Sequence, residues 1–148
     1  MKYIRDGRAP IPQSSSISRV MSANRGRDTG PELKFRKALR ALGIRNYRIH
    51  LKNVPGRPDV SIPNKKIAIF INGCFWHRCP FCKLPLPKSN TAFWKKKFVN
   101  NIKRDRSKTM TLRNAKWKVF VFWECEIERS PERYAKKVKE YLNRNNSN

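Results

Sequence analysis

Four cysteines limit what this chain can fold into. Three stand together as Cys74-x4-Cys79-x2-Cys82, and the fourth, Cys125, lies far downstream. Cys79 and Cys82 make a knuckle, and four thiolates are a ligand set that zinc takes in a tetrahedron. The outer two ligands each leave an apolar run: "IAIFIN" (67–72) delivers Cys74, and "WKVFVFWEC" (117–125) delivers Cys125. Continuous apolar runs of this length predict strands buried on both faces. If the two strands are parallel neighbours their ends meet, and one metal ion pins the 74–82 loop to the sheet. Buried free thiols are the competing reading. Disulfides fit less well, because no long apolar run and no signal-peptide core mark the chain for a membrane or for export. The expected location is cytoplasmic or nucleoid-associated.

The other elements follow from local signals. Residues 1–28 are polar and basic, with Pro10, Pro12 and the run Ser14–Ser16, and predict an extended arm. "TGPE" opens a helix, with Thr29 as N-cap, Pro31 in the first turn and Glu32 closing a capping box. Its apolar stripe is Phe35, Ala38, Leu39 and Leu42, and Gly43 ends it. Residues 47–51 alternate as a strand does. A short strand starts at Asp59, and "PNKK" turns the chain into 67–72. Pro85 and Pro87 keep 83–88 irregular. A long helix is expected from about Ser89 to Leu112, facing inward with Trp94, Phe98, Ile102 and Asp105. Ser130 and Pro131 start a last helix whose inner face is Tyr134, Val138 and Tyr141 or Leu142. The expectation is one α/β (α+β) domain over 29–143, a mixed central sheet between helices, followed by a tail at 144–148.

Charge names the class of partner. Thirty-five Lys and Arg against ten Asp and Glu leave a formal +25, spread along the whole chain. A field of that strength favours a polyanion, and nucleic acid is the obvious one. With acids this scarce, a carboxylate amid apolar or glycine-rich sequence needs its own explanation. Asp59, after "PGRP" and at the head of a strand, suits a magnesium ligand, since Mg²⁺ takes few protein oxygens and fills its shell from water and phosphate. The acid-x-lysine element that usually follows in such nucleases is missing, because 71–73 read Ile-Asn-Gly.

That departure points to one family. "RVMSANRGRDTGPE", "PGRPDV", "NGCFWHRC", "SNTAFWKKK", "NIKRDR" and "WKVFVFWEC" occur in this order. Together, from about Ile17 to Ile127, they resemble the very-short-patch-repair (Vsr) mismatch endonucleases. The resemblance implies a restriction-endonuclease-like fold, a structural Zn²⁺ on Cys74, Cys79, Cys82 and Cys125, and catalytic Mg²⁺. It implies a nick in double-stranded DNA 5′ of the thymine of a T·G mismatch, made by a monomer, with mismatch-repair proteins as candidate partners. Carried over residue by residue, Asp59 and the backbone carbonyl of Ile71 would hold Mg²⁺. His77 would exchange the proton, and Asp105 would orient His77 or a water. Glu32 would be the acid of the first helix, a position that the capping box explains equally well. Phe75 and Trp76 would intercalate, Met21 would wedge from the arm, and Arg25 and Arg27 would contact DNA.

Two departures bear on these roles. Asn72 stands where well-studied relatives have a second histidine, and Cys79 stands where they ligate zinc through histidine, with Cys82 slightly shifted. Two other readings stay open. One is a Vsr-like restriction or nicking enzyme for matched DNA; the other is a zinc-stapled DNA-binding protein without chemistry, in which Asp59, His77 and Asp105 are structural.

Overall fold

The computed structural model describes residues 28–145, so Met21, Arg25 and Arg27 lie outside the described residues. Helix α1 (Gly30–Ala41) starts where the sequence predicts, with Thr29 Oγ1 accepting from the Glu32 N–H at 3.4 Å. The capping box is only half made. The Glu32 carboxylate takes the N–H of Asp28 at 3.0 Å, one residue before the cap. Phe35, Ala38 and Leu39 are buried as expected, but Leu42 is exposed. It follows the last helical turn as the C-cap, and Gly43, with a φ of 82°, then sends the chain away in the left-handed conformation that glycine adopts without strain.

Strands β1 (Arg48–Ile49), β2 (Val60–Ile62), β3 (Ile67–Asn72) and β4 (Lys118–Trp123) form one sheet in the order β1-β2-β3-β4. The first two junctions are antiparallel and β3–β4 is parallel, so the sheet is mixed. A parallel pair needs a crossover, and helix α2 (Thr91–Asn114) supplies it. Strand β3 is the interior strand that its apolar run predicts. Ile67, Ile69 and Ile71 pack with Phe35, Leu39 and Phe122 on one face. Ala68 packs with Val54, Leu112 and Val119 on the other, with Phe70 against them.

Strand β4 departs from expectation. It is an edge strand, buried only at Val119 and Phe122, with Val121 exposed. It stops at Trp123, and helix α3 (Glu124–Arg129) follows at once, so Cys125 sits in a helical first turn instead of on a strand. Helix α4 (Pro131–Asn145) closes the chain, burying Ala135 and Val138 and leaning Tyr134, Tyr141 and Leu142 on the core.

The result is three layers: α1, α3 and α4 on one face of the sheet, α2 on the other. Burying Phe35, Leu39, Ile67, Ile69 and Ile127 completely contributes about 1.5–3 kcal/mol each, before the entropy of ordering the chain is set against it. Among the described residues no helix is long and apolar enough to cross a membrane.

Candidate active site and cysteine cluster

The C-terminal ends of the parallel strands organise the site. Asn72 of β3 is in register with Trp123 of β4, so Cys74 and Cys125 leave the sheet side by side. The four Sγ atoms of Cys74, Cys79, Cys82 and Cys125 all lie within 4.8 Å of one another. Cys79 Sγ and Cys125 Sγ are 3.7 Å apart, and all four thiols are free of disulfides. That separation matches the edge of a thiolate tetrahedron, about 3.8 Å for ligands 2.3 Å from the ion. Burial and the neighbouring thiols push the Cys125 thiol up to about 11, and burial raises Cys74 further still. Burial also opposes ionisation at Cys79, yet the Cys82 and Phe81 amides and the other thiols draw it below the usual range. The cluster can therefore hold a metal, whose charge would favour the thiolates that crowding resists.

Between Cys74 and Cys79 the loop is fastened to α2. Asn101, buried in that helix, donates from Nδ2 to the Trp76 carbonyl at 3.0 Å. Phe75 and Trp76, the pair that the resemblance would intercalate, do not stand free on the surface. They are half-buried in an aromatic cluster with Trp94 and Phe98, where Phe75 lies 5.5 Å and 5.3 Å from those rings. The Arg78 guanidinium lies over Phe98 at 4.3 Å from its centroid. The reason is local: Trp94 and Phe98 stand four residues apart on the buried side of α2 and offer the adjacent pair an aromatic surface.

His77 follows, half-buried, with its Nδ1 2.5 Å from Asp105 Oδ2. An ionised carboxylate only accepts, so Nδ1 carries the proton and Nε2 is left for another group. Both residues line a cavity of about 660 Å³ together with Phe70, Asn72, Val121 and Trp123. Arg78, Arg106, Lys108 and Arg113 give the same cavity a positive rim.

Asp59 precedes β2, and the Ile71 N–H donates to its Oδ2 at 2.6 Å. Ile71 thus meets Asp59 through its amide. Burial pushes the Asp59 carboxyl up to about 7; the Ile71 amide opposes this, Glu32 adds to it through charge and a hydrogen bond, and His77 pulls it back. Hence Asp59 is coupled both to Glu32 and to the His77–Asp105 pair, four residues drawn from two helices and two loops. A desolvated carboxylate beside a second carboxylate attracts a cation, and the imidazole nearby is placed to move a proton.

The sequence reading missed His50. This residue, at the end of β1 with a φ of 50°, brings Nε2 to 3.2 Å from Glu32 Oε2 and 3.7 Å from Asp28 Oδ1. Arg36, buried in α1, donates from NH2 to the same Asp28 oxygen at 2.9 Å. The available signal was scarcity: the chain has two histidines, and one was left unexplained.

Comparison with known proteins identifies the family. The family model "DNA mismatch endonuclease Vsr" matches residues 11–83. The type II nicking enzyme V.XorIIP of Xanthomonas oryzae pv. oryzae is 38% identical over 109 residues, 73% of this chain and 79% of that protein. The type II nicking enzyme V.NaeI of Lentzea aerocolonigenes is 40% identical over 124 residues, 81% and 74% of the two chains. The DNA mismatch endonuclease Vsr of Escherichia coli K12 is 32% identical over 119 residues, 80% and 76%. With its mixed sheet between helices and its clustered thiols, this chain belongs to the Vsr family of DNA endonucleases, and its fold is the restriction-endonuclease-like fold of that family.

Proposed function

We propose that the chain is a divalent-metal-dependent, strand-specific endonuclease that nicks duplex DNA 5′ of the thymine of a T·G mismatch. The observation that carries this reading is the coupling of Asp59 to Glu32 and to an Asp105-oriented His77 that lines a cavity rich in basic side chains. Asp59 would hold Mg²⁺, with the Ile71 carbonyl as a second ligand, and Cys74, Cys79, Cys82 and Cys125 would hold Zn²⁺. The donor sets fit both ions, since magnesium takes carboxylate and carbonyl oxygen and zinc takes thiolates at this spacing. When bound, the magnesium ion polarises the phosphate and makes water a better nucleophile.

The chain's own residues do the rest. The Ile71 amide fixes one oxygen of Asp59 and so aims the carboxylate. Asp105 keeps the His77 proton on Nδ1, so that Nε2 can take a proton from the attacking water or, once charged, return one to the leaving 3′ oxygen. The P–O3′ bond breaks, leaving 5′-phosphate and 3′-hydroxyl ends. Asn72 faces the same cavity and can donate a hydrogen bond to phosphate, but it cannot exchange a proton as the histidine of relatives would. Phe75 and Trp76 would leave their aromatic cluster to enter the stack beside the mismatch, where weak pairing lowers the cost of unstacking. Met21, Arg25 and Arg27 would join from the arm. Action as a monomer in the cytoplasm or nucleoid, with mismatch-repair proteins nearby, completes the reading.

A second reading rests on specific observations. The relatives include type II nicking enzymes, and the aromatic pair is packed in the free protein. A nicking enzyme for matched DNA needs no exposed wedge. A strand-resolved cleavage assay with Mg²⁺ on otherwise identical T·G, U·G and matched duplexes separates the two. A cut confined to the thymine strand of mismatched DNA and abolished by Asp59→Ala supports the repair reading. Equal cutting of matched DNA supports the second, and binding without a cut in any duplex would overturn both.

A further inference from the structure

We infer that Asp28, Glu32 and His50 form a divalent-cation site of their own, suited to a first-row transition ion such as Mn²⁺ in preference to Mg²⁺. It is separate from the cysteine cluster, adjoins Asp59, and does not depend on the catalytic reading. The three residues come from the entry to α1, its first turn and the end of β1, yet one ligand atom from each lies within 4.8 Å of the others.

Spacing and burial carry the inference. The His50 side chain is 9% exposed, and its Nε2 is buried without a hydrogen-bond partner, although Glu32 Oε2 and Asp28 Oδ1 stand 3.2 Å and 3.7 Å away. An imidazolium paired with these carboxylates would aim a proton at one of them, and neither approach has hydrogen-bond geometry. Donor atoms about 2.0–2.2 Å from a common ion stand about 3–3.6 Å apart, which is close to the separations here. Glu32 is 3% exposed, and a buried carboxylate needs compensation. Arg36 already binds Asp28 Oδ1, but a carboxylate oxygen accepts more than one partner. With Asp59 against Glu32, three carboxylates gather at this corner of the fold, and a bound cation would offset their mutual repulsion.

The donor set selects the ion. One imidazole nitrogen with two carboxylates suits Mn²⁺, Co²⁺ or Zn²⁺, whereas Mg²⁺ prefers oxygen alone and keeps its water. An ion there would tie the entry of α1 to the end of β1 and hold Glu32 against Asp59.

Full-length protein with its cysteine cluster loaded, carrying Asp59→Asn to remove the neighbouring ligand, would be titrated with Mn²⁺ and followed by electron paramagnetic resonance. We expect one Mn²⁺ per chain, with nitrogen coupling in the pulsed spectrum that persists when His77→Ala is added and disappears with His50→Ala. Asp28→Asn should weaken binding at least about tenfold, and a hundredfold excess of Mg²⁺ should not displace the ion. Circular dichroism of each metal-free variant identifies any that fails to fold; if His50→Ala does, His50→Gln and Asp28→Asn decide. No bound Mn²⁺ at millimolar concentration, or nitrogen coupling that survives loss of His50, would overturn the site. Because Asp59→Asn protein serves only for binding, that failure would leave the endonuclease reading standing.

Discussion

Asp59 and Glu32 are two carboxylates withdrawn from water and set against each other, in a chain that carries ten acids in all. Burial first, then Glu32, raises the Asp59 carboxyl from 3.8 to about 7. A group whose folded value is raised favours the folded state most below its unfolded value and loses that contribution as pH rises through the folded one. In metal-free protein, stability relative to Asp59→Asn should therefore fall between about pH 4 and pH 7, and stay lower above that. Thermal melts of both proteins across this window test it; parallel curves would show that Asp59 ionises as freely folded as unfolded. At the same scale, Asp105→Asn should lower the nicking rate about 10²–10⁴-fold with little change in fold, because Nδ1 of His77 loses the carboxylate that keeps it protonated. Rates and circular dichroism, measured together, separate this from unfolding. Asp59 stood out in sequence as a carboxylate at the head of a strand, and the structure withdraws that carboxylate from water there. The surroundings of Glu32 were not legible, because a capping box and a buried acid beside Asp59 read identically until the partner of its carboxylate is known.

At the scale of elements, the 74–82 loop is held at three places: the clustered thiols, the Asn101–Trp76 hydrogen bond and the His77–Asp105 pair. The last two come from one turn of α2 and the first from the cysteines, so loosening one should be felt at the others. Asn101→Ala leaves the Trp76 carbonyl without its donor and should cost about 1–3 kcal/mol, read as a lower denaturant midpoint at unchanged slope. Removing the cysteine-held metal with a strong chelator, with Mg²⁺ resupplied in the assay, should lower the melting temperature and abolish nicking, and restored Zn²⁺ should recover both; protein that nicks equally well in Mg²⁺ with the cluster stripped would show the cluster to be passive. The cysteine spacing announced this loop from sequence. The aromatic packing was hidden, because helix α2 is polar on most of its surface and buries only Trp94, Phe98, Asn101 and Leu112. A stripe that thin reveals which side faces inward without revealing what it meets.

For the whole molecule, a formal charge of +25 means that association with DNA is driven by release of counterions. Raising salt from 50 to 200 mM should weaken binding by about three to five orders of magnitude if six to ten phosphates are contacted, measurable by fluorescence anisotropy on one duplex across a salt series. A flat response would mean that the basic rim of the cavity does not meet the backbone. Sequence alone determined what depends on local pattern and on composition. The run 67–72 reads as an interior strand and is one, the proline-capped helices began where their caps stood, and a four-thiol site needs two strand ends to lie together, as the parallel β3–β4 pair provides. Tertiary structure decided the rest. It made β4 an edge and turned Cys125 into a helix, sank Phe75 and Trp76 against α2, and brought Asp28, Glu32 and His50 to one point beside Asp59. Periodicity records which way a side chain faces, but a partner many residues away is chosen only when layers pack and each buried charge must find its complement.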